Sequence, residues 1–168
     1  MNLAQISQLY DFSGKTIVIT GGAGVLASPM AQTLAECNAN VVILDRDAQL
    51  AEKVIRQMPS IVASKVRSIQ VNVLERASLL KAAEEIKAEF DRVDILINAA
   101  GGNHPAATTR PDLSFFDLPL DALRYVVDLN LTGSILPCQI FGQDMAQQGH
   151  GVILNISSMN AFRPLTRI

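Results

Sequence analysis

The residues that could do chemistry gather where apolar runs end. Thr20-Gly21-Gly22-Ala23-Gly24-Val25-Leu26-Ala27 follows a run rich in Val and Ile and opens a segment with helical spacing. Glycine lets a backbone come close to a ligand, and the free N–H groups of a helix start attract negative charge, so the turn suits a pyrophosphate. Gly21, Gly22, Gly24, Val25 and Leu26 are its candidate contacts. A tight turn with a purely structural role is the competing reading. Asp45 closes the next apolar run, 24 positions after Gly21, near the spacing at which a carboxylate meets the hydroxyls of an adenosine ribose. A 2′-phosphate about 4 Å from that carboxylate would be repelled by up to ~4 kcal/mol at an effective dielectric of ~20, which favours NAD over NADP. Arg46 would offset part of that repulsion, and a solvated Asp ending a strand is the alternative. Gly14-Lys15-Thr16 imitates the end of a phosphate loop, but position 9 is Leu and a strand follows, so that motif is rejected.

The elements that must position these residues are apolar runs alternating with helical segments. The runs are Thr16–Thr20, Asn40–Leu44, Val66–Val71, Asp94–Asn98 and Gly151–Ser157. They lack strict alternation, which predicts strands covered on both faces. Between them, Leu26–Cys37, Ala48–Met58, Arg76–Phe90 and Leu120–Gln148 carry helical spacing, with Leu79, Ala82, Ala83, Ile86 and Phe90 on one stripe. The pattern predicts an α/β fold of the Rossmann type, a doubly wound parallel sheet with helices on both faces and ligands at the carboxyl ends of its strands. Gly101–Pro119 is the one long irregular loop, a kind of segment that often serves a site.

Composition narrows the classes. A chain of 168 residues and 18.1 kDa, 49% hydrophobic and 18% charged, suits a single domain over residues 1–168. A net charge of −2, a pI near 5.6 and no basic stripe argue against nucleic acid. Cys37 and Cys138 form no CxxC, and neither His104 nor His150 stands at ligand spacing from them, so no metal is expected and both thiols should be reduced. Met1–Tyr10 lacks a signal pattern and no run is long enough to span a membrane, which makes a cytoplasmic protein the expectation. The sequons at Asn130 and Asn155 then carry no chemistry.

Four motifs in order make the reading specific: the glycine turn, Asn98-Ala99-Ala100-Gly101, Asn130 within Asp128-Leu129-Asn130-Leu131-Thr132-Gly133, and Asn155-Ile156-Ser157-Ser158. Together they resemble the short-chain dehydrogenase/reductase family, whose motifs read TGxxxGxG and NNAG or NAAG. Two departures stand out. The family's second and third glycines fall on Val25 and Ala27, with Gly24 as a replacement, and Asn72 stands where an Asp usually contacts adenine. The resemblance implies that Asn72 and a backbone contact at Val73 serve the adenine, and that Asn98, Ala99, Ala100 and Gly101 line the coenzyme.

The same resemblance implies that Ser158, rather than Ser157, hydrogen-bonds the substrate oxygen. It implies that Asn130, buried in its helix, holds a water of a proton relay; a polar residue at a helix bend is the alternative. The family's general acid/base is a Tyr in a YxxxK motif about 13 residues beyond the serine, hence near position 171, whereas this chain ends at Ile168 and its tyrosines are Tyr10 and Tyr125. General acid/base catalysis is worth ~10² to 10⁴-fold, so little turnover is expected of the 168 residues. The absent part should also complete the sheet, leaving apolar surface exposed here, and form the contacts of a homodimer or homotetramer. The loop from Gly101 to Thr109 resembles that of members acting on sugar acids, such as fructuronate or mannonate oxidoreductases and gluconate dehydrogenases. Asn103, His104 and Thr108 could then meet a polyhydroxylated substrate and Arg163 its carboxylate, with turn and surface roles as the alternatives. The reading is an NAD-dependent oxidoreductase acting on an alcohol or carbonyl. Its rivals are an NAD-binding module without catalysis and a truncated chain with no role of its own.

Overall fold

The computed structural model describes residues 2–159 and 162. Five strands, β1 (Thr16–Thr20), β2 (Asn40–Asp45), β3 (Val66–Gln70), β4 (Ile95–Asn98) and β5 (Val152–Asn155), form one parallel sheet in the order β3-β2-β1-β4-β5. The register aligns Thr20 with Leu44 on one side and with Asn98 on the other, so the functional motifs emerge along a single edge. Chain order reverses on either side of β1, which opens a crevice at its carboxyl end.

The expected helices form with small changes at their ends: α2 (Ala27–Glu36), α3 (Ala48–Gln57) and α5 (Arg76–Phe90). Asp47 caps α3 by accepting the N–H of Leu50 at 2.9 Å. Two short helices were not anticipated. In α1 (Leu3–Leu9), Asn2 and Gln5 exchange side-chain and backbone bonds in a capping box, and α4 (Ser60–Ala63) is a single turn after Pro59.

The long helix expected over Leu120–Gln148 is instead two. Helix α6 (Leu120–Val127) passes through a wide π-type turn at Asp128–Thr132 into α7 (Gly133–Gln148), which stops at Gly149 in the left-handed region. Hydrophobic spacing cannot reveal one inserted residue in a ladder, because apolar positions persist across it.

Two apolar layers sandwich the sheet. On one face Ile17, Ile19, Val41 and Ile43 pack with Ala27, Ala31 and Ala35 of α2 and Ala51 of α3. On the other, Val18, Val42, Leu44 and Leu96 pack with Leu79, Ala82 and Ile86 of α5 and Ile140, Phe141 and Met145 of α7. Full burial of each larger side chain is worth ~1.5–3 kcal/mol. The expected cover on both faces holds for β1, β2 and most of β4. It does not hold for β5, where Val152, Ile153 and Leu154 are 57%, 39% and 46% exposed because the described residues pack little beyond α7 against it.

At the amino end of the sheet Asp94 is almost fully buried. It accepts the N–H of Thr16 at 3.0 Å and pairs with Lys15 at 3.1 Å and Arg92 at 3.3 Å. Burial raises its pKa, but the Thr16 hydrogen bond and the two cations outweigh it and hold the carboxyl below the ordinary carboxylate range.

Candidate functional site

A cleft of about 340 Å³ opens at the carboxyl ends of β1 to β4. Of the residues singled out in the sequence, Gly21, Gly24, Asp45, Arg46, Asn72, Val73, Ala99, Ala100 and Gly101 line it. Gly22, Val25, Leu26 and Asn98 do not.

Glycine is required at the start of the turn. Gly21 has φ +62°, and a Cβ there would lie 2.7 Å from the Cα of Ala100. A Cβ on Gly22 would come within 2.9 Å of the Ile43 side chain, so this residue sits behind the cleft wall. The turn closes with Gly24 N–H donating to the Gly21 carbonyl at 3.0 Å. Val25 and Ala27 have no left-handed backbone, so replacing the family's glycines there costs no strain. Val25 and Leu26 are 91% and 76% exposed at the start of α2, whose first turn has no side-chain cap. Ser28 donates its N–H to the Gly24 carbonyl at 2.9 Å and Pro29 has none, so the N–H groups of Val25, Leu26 and Ala27 are the donors left for an anion.

Thr20, the first residue of the motif, has a structural role that the sequence does not assign. Its buried hydroxyl accepts the N–H groups of Ala99 and Ala100, both at 3.2 Å, which draws the loop after β4 against the glycine turn. A buried Thr ending a strand before a glycine turn is the signal that could have found it.

Asp45 joins the turn to the end of β2. One carboxylate oxygen accepts the Ala23 N–H and the other accepts the Asp47 N–H, each at 3.1 Å. The carboxylate is therefore aimed before any ligand arrives, and each oxygen keeps acceptor capacity. Arg46 turns elsewhere, donating to the Tyr125 hydroxyl at 2.9 Å. Tyr125 lies in α6 and lines the cleft with Leu129, a role that its position outside any YxxxK pattern does not signal in the sequence.

Asn72 holds the bend before α5: its amide donates to Glu75 at 2.8 Å and its oxygen accepts the Leu74 N–H at 3.1 Å. Asn98 is buried beneath the cleft. Its amide donates to Asn155 at 2.8 Å and lies 3.1 Å from the Cys138 sulfur, tying β4 to β5 and α7, while its oxygen has no partner.

Asn130 corrects the expectation of a buried residue. It is exposed in the π-type turn, and its side chain is engaged: its amide donates to the carbonyls of Gly102 at 2.7 Å and Val126 at 2.8 Å, and its oxygen accepts the Gly102 N–H at 3.1 Å. Both amide hydrogens are used. The side chain thus clamps the start of the irregular loop onto the break between α6 and α7. Asn130 and Ser157 line one shallow hollow with Cys138 and Asn155, and Ser158 follows at the exposed end of the strand.

Within the loop, Asn103 donates to Thr108 at 2.9 Å and accepts the His104 N–H at 2.9 Å. Nδ1 of His104 accepts the Ala106 N–H at 3.1 Å, capping the single turn Pro105–Ala107, so the neutral ring carries its proton on Nε2. The His104 ring also meets Tyr125 edge to face, with centroids 5.5 Å apart. Arg163 lies outside the described residues. Among the described residues no three of His, Cys, Asp and Glu gather as metal ligands, and no helix is long and apolar enough to cross a membrane.

The comparisons agree with this geometry. A family model described as short chain dehydrogenase matches residues 15–168. An uncharacterized oxidoreductase of Haemophilus influenzae is 39% identical over 97% of this chain and 60% of its own length. The uncharacterized oxidoreductase UxuB of Bacillus subtilis is 39% identical over 94% of this chain and 59% of its own length. A crystal structure of a protein provisionally named a D-mannonate oxidoreductase, also from Haemophilus influenzae and with NAD bound, matches with TM-score 0.85 at 40% identity, covering 97% of this chain and 61% of that one. The chain spans about three fifths of the length of these curated relatives.

Proposed function

Because the chain belongs to the short chain dehydrogenase family, we propose that its cleft takes NAD and that the protein moves a hydride between nicotinamide and the carbon of a small alcohol or carbonyl substrate. The observation that carries the proposal is the Asp45 carboxylate, held at once by the glycine turn and by the β2–α3 bend. The donor set fits the coenzyme. The amides of Val25, Leu26 and Ala27 before and at the start of α2 suit a diphosphate, the glycine at 21 lets the turn lie against the Ala99–Ala100 backbone in the cleft wall, and Asp45 offers acceptors to ribose hydroxyls. Bound there, NAD supplies the hydride acceptor or, when reduced, the donor.

The chain's own residues hold and orient. Ser158 positions the substrate oxygen at the end of β5, and Asn98 fixes that strand from below through Asn155. Asn130 acts through the loop it clamps, and its side chain has no amide hydrogen left for a relay water. Gly22, Val25 and Leu26 serve the coenzyme by shaping the turn. Similarity to the protein named a D-mannonate oxidoreductase supports a sugar acid as substrate, recognised by the loop of Asn103, His104 and Thr108 with Arg163. We place the protein in the cytoplasm as a homo-oligomer.

A second reading, coenzyme binding without turnover by these residues alone, is favoured by the tyrosines. Tyr10 caps α1 and Tyr125 is bonded to Arg46, so neither is placed as an acid/base beside Ser158. Calorimetric titration with NADH and NADPH tests the main proposal. NADH should bind more tightly, and Asp45→Ala should remove most of the preference. Absence of binding to either coenzyme, or tighter NADPH binding by the unaltered protein, would contradict it. Oxidation of sugar acids followed at the nicotinamide absorbance then separates the two readings.

A further inference from the structure

We infer that the Tyr125 hydroxyl is a determinant of coenzyme choice: it tethers the Arg46 guanidinium and so withholds it from a 2′-phosphate. The inference rests on NAD binding in the cleft. An arginine beside the ribose-binding carboxylate is the group that would welcome the extra phosphate of NADP, because its planar fork matches phosphate oxygens. Arg46 is the next residue after Asp45 and lines the same cleft, which makes it the cation in reach. Charge alone would let it offset the repulsion from Asp45.

The structure shows Arg46 pinned at both ends. Its carbonyl accepts a hydrogen bond from Gln70 at 3.1 Å, and its guanidinium donates to Tyr125 across the cleft at 2.9 Å. Among the described residues it pairs with no carboxylate. The tether is anchored in turn, because the Tyr125 ring meets the edge of His104, whose own ring is fixed by the Ala106 N–H. A phosphate that recruits Arg46 must draw its guanidinium away from a hydroxyl acceptor that two further contacts hold in place. NAD, which lacks that phosphate, leaves the tether intact. Tyr125 thus adds to the discrimination that Asp45 begins, and it does so from a helix remote in sequence.

The test is the ratio of NADPH to NADH dissociation constants. In Tyr125→Phe the ring stays and the tether goes, so the ratio should fall about tenfold, equivalent to about 1.4 kcal/mol. In the Tyr125→Phe, Arg46→Gln double variant the fall should vanish, because the freed cation is absent. An unchanged ratio in Tyr125→Phe, or an equal fall in the double variant, would overturn the inference while NADH binding continues to support the coenzyme site. Arg46→Gln alone offers a second check if Tyr125→Phe folds poorly. A tethered arginine predicts an unchanged ratio, and a rise would mean that Arg46 already grips the phosphate. Failure of the unaltered protein to bind NADH would sink the underlying proposal instead.

Discussion

Asp45 and Gly21 each stand where the chain changes from strand to turn, a position that few residue types suit. Gly21→Ala is expected to destabilise the protein by more than about 1 kcal/mol, since it combines a left-handed φ with a Cβ 2.7 Å from Ala100. Chemical denaturation measures this, and an unchanged midpoint would count against a rigid turn. Thr20→Val keeps shape but leaves the Ala100 N–H without its hydroxyl acceptor, a loss of about 1–3 kcal/mol, while the Ala99 N–H keeps the Thr20 carbonyl at 3.2 Å. Weaker NADH binding should accompany it, as the loop after β4 relaxes. What could not be read at this scale were the partners. The Arg46–Tyr125 bond joins positions 79 apart, and the demands on Asn72, Asn98 and Asn130 became visible only with neighbours in place. The sequence does not say which asparagine faces a ligand and which one holds a loop.

The strands and most helices follow from local pattern, so their ends shift by a residue or two at most for β1 to β4. The exception lies between α6 and α7. An apolar stripe over Leu120–Gln148 conceals the π-type turn that presents Asn130 to the loop. Asn130→Ala should loosen that clamp, leaving the Gly102 N–H unpaired at a cost of about 1 kcal/mol and raising hydrogen exchange across Gly101–Pro119. Unchanged exchange would indicate that the loop is held elsewhere.

The other end of the sheet supplies a pH dependence. Asp94 has its folded pKa depressed below the unfolded value of about 3.9. The unfolded state therefore binds the proton more readily, and the stabilisation is fully present above that unfolded value and is lost as pH falls through the folded one. Asp94→Asn should be destabilised at neutral pH and converge with the unaltered protein in strong acid. Parallel stability curves across that range would contradict the pairing with Lys15 and Arg92.

For the molecule as a whole, alternation of apolar runs and helical segments was enough to anticipate a doubly wound sheet and the edge that carries its site. Burial was harder to foresee, because a continuous apolar run is the same in a covered central strand and in β5. Val152, Ile153 and Leu154 stand exposed there, and beyond the strand the exposed Ile156 lines with Leu131 and Ile135 the hollow that Ser157 lines. Apolar side chains exposed in such number tend to be covered in use. The 168-residue polypeptide in isolation should bind a hydrophobic dye or self-associate at micromolar concentration, which light scattering would detect. A clean monomer without dye binding would argue that this face is tolerated in water.

The most direct measurement is a crystal structure of the protein with NAD. The account predicts the diphosphate against the amides that begin α2, and the adenosine ribose hydroxyls on the carboxylate of Asp45. A coenzyme seated away from Gly21–Leu26, or a ribose with no contact to Asp45, would contradict it.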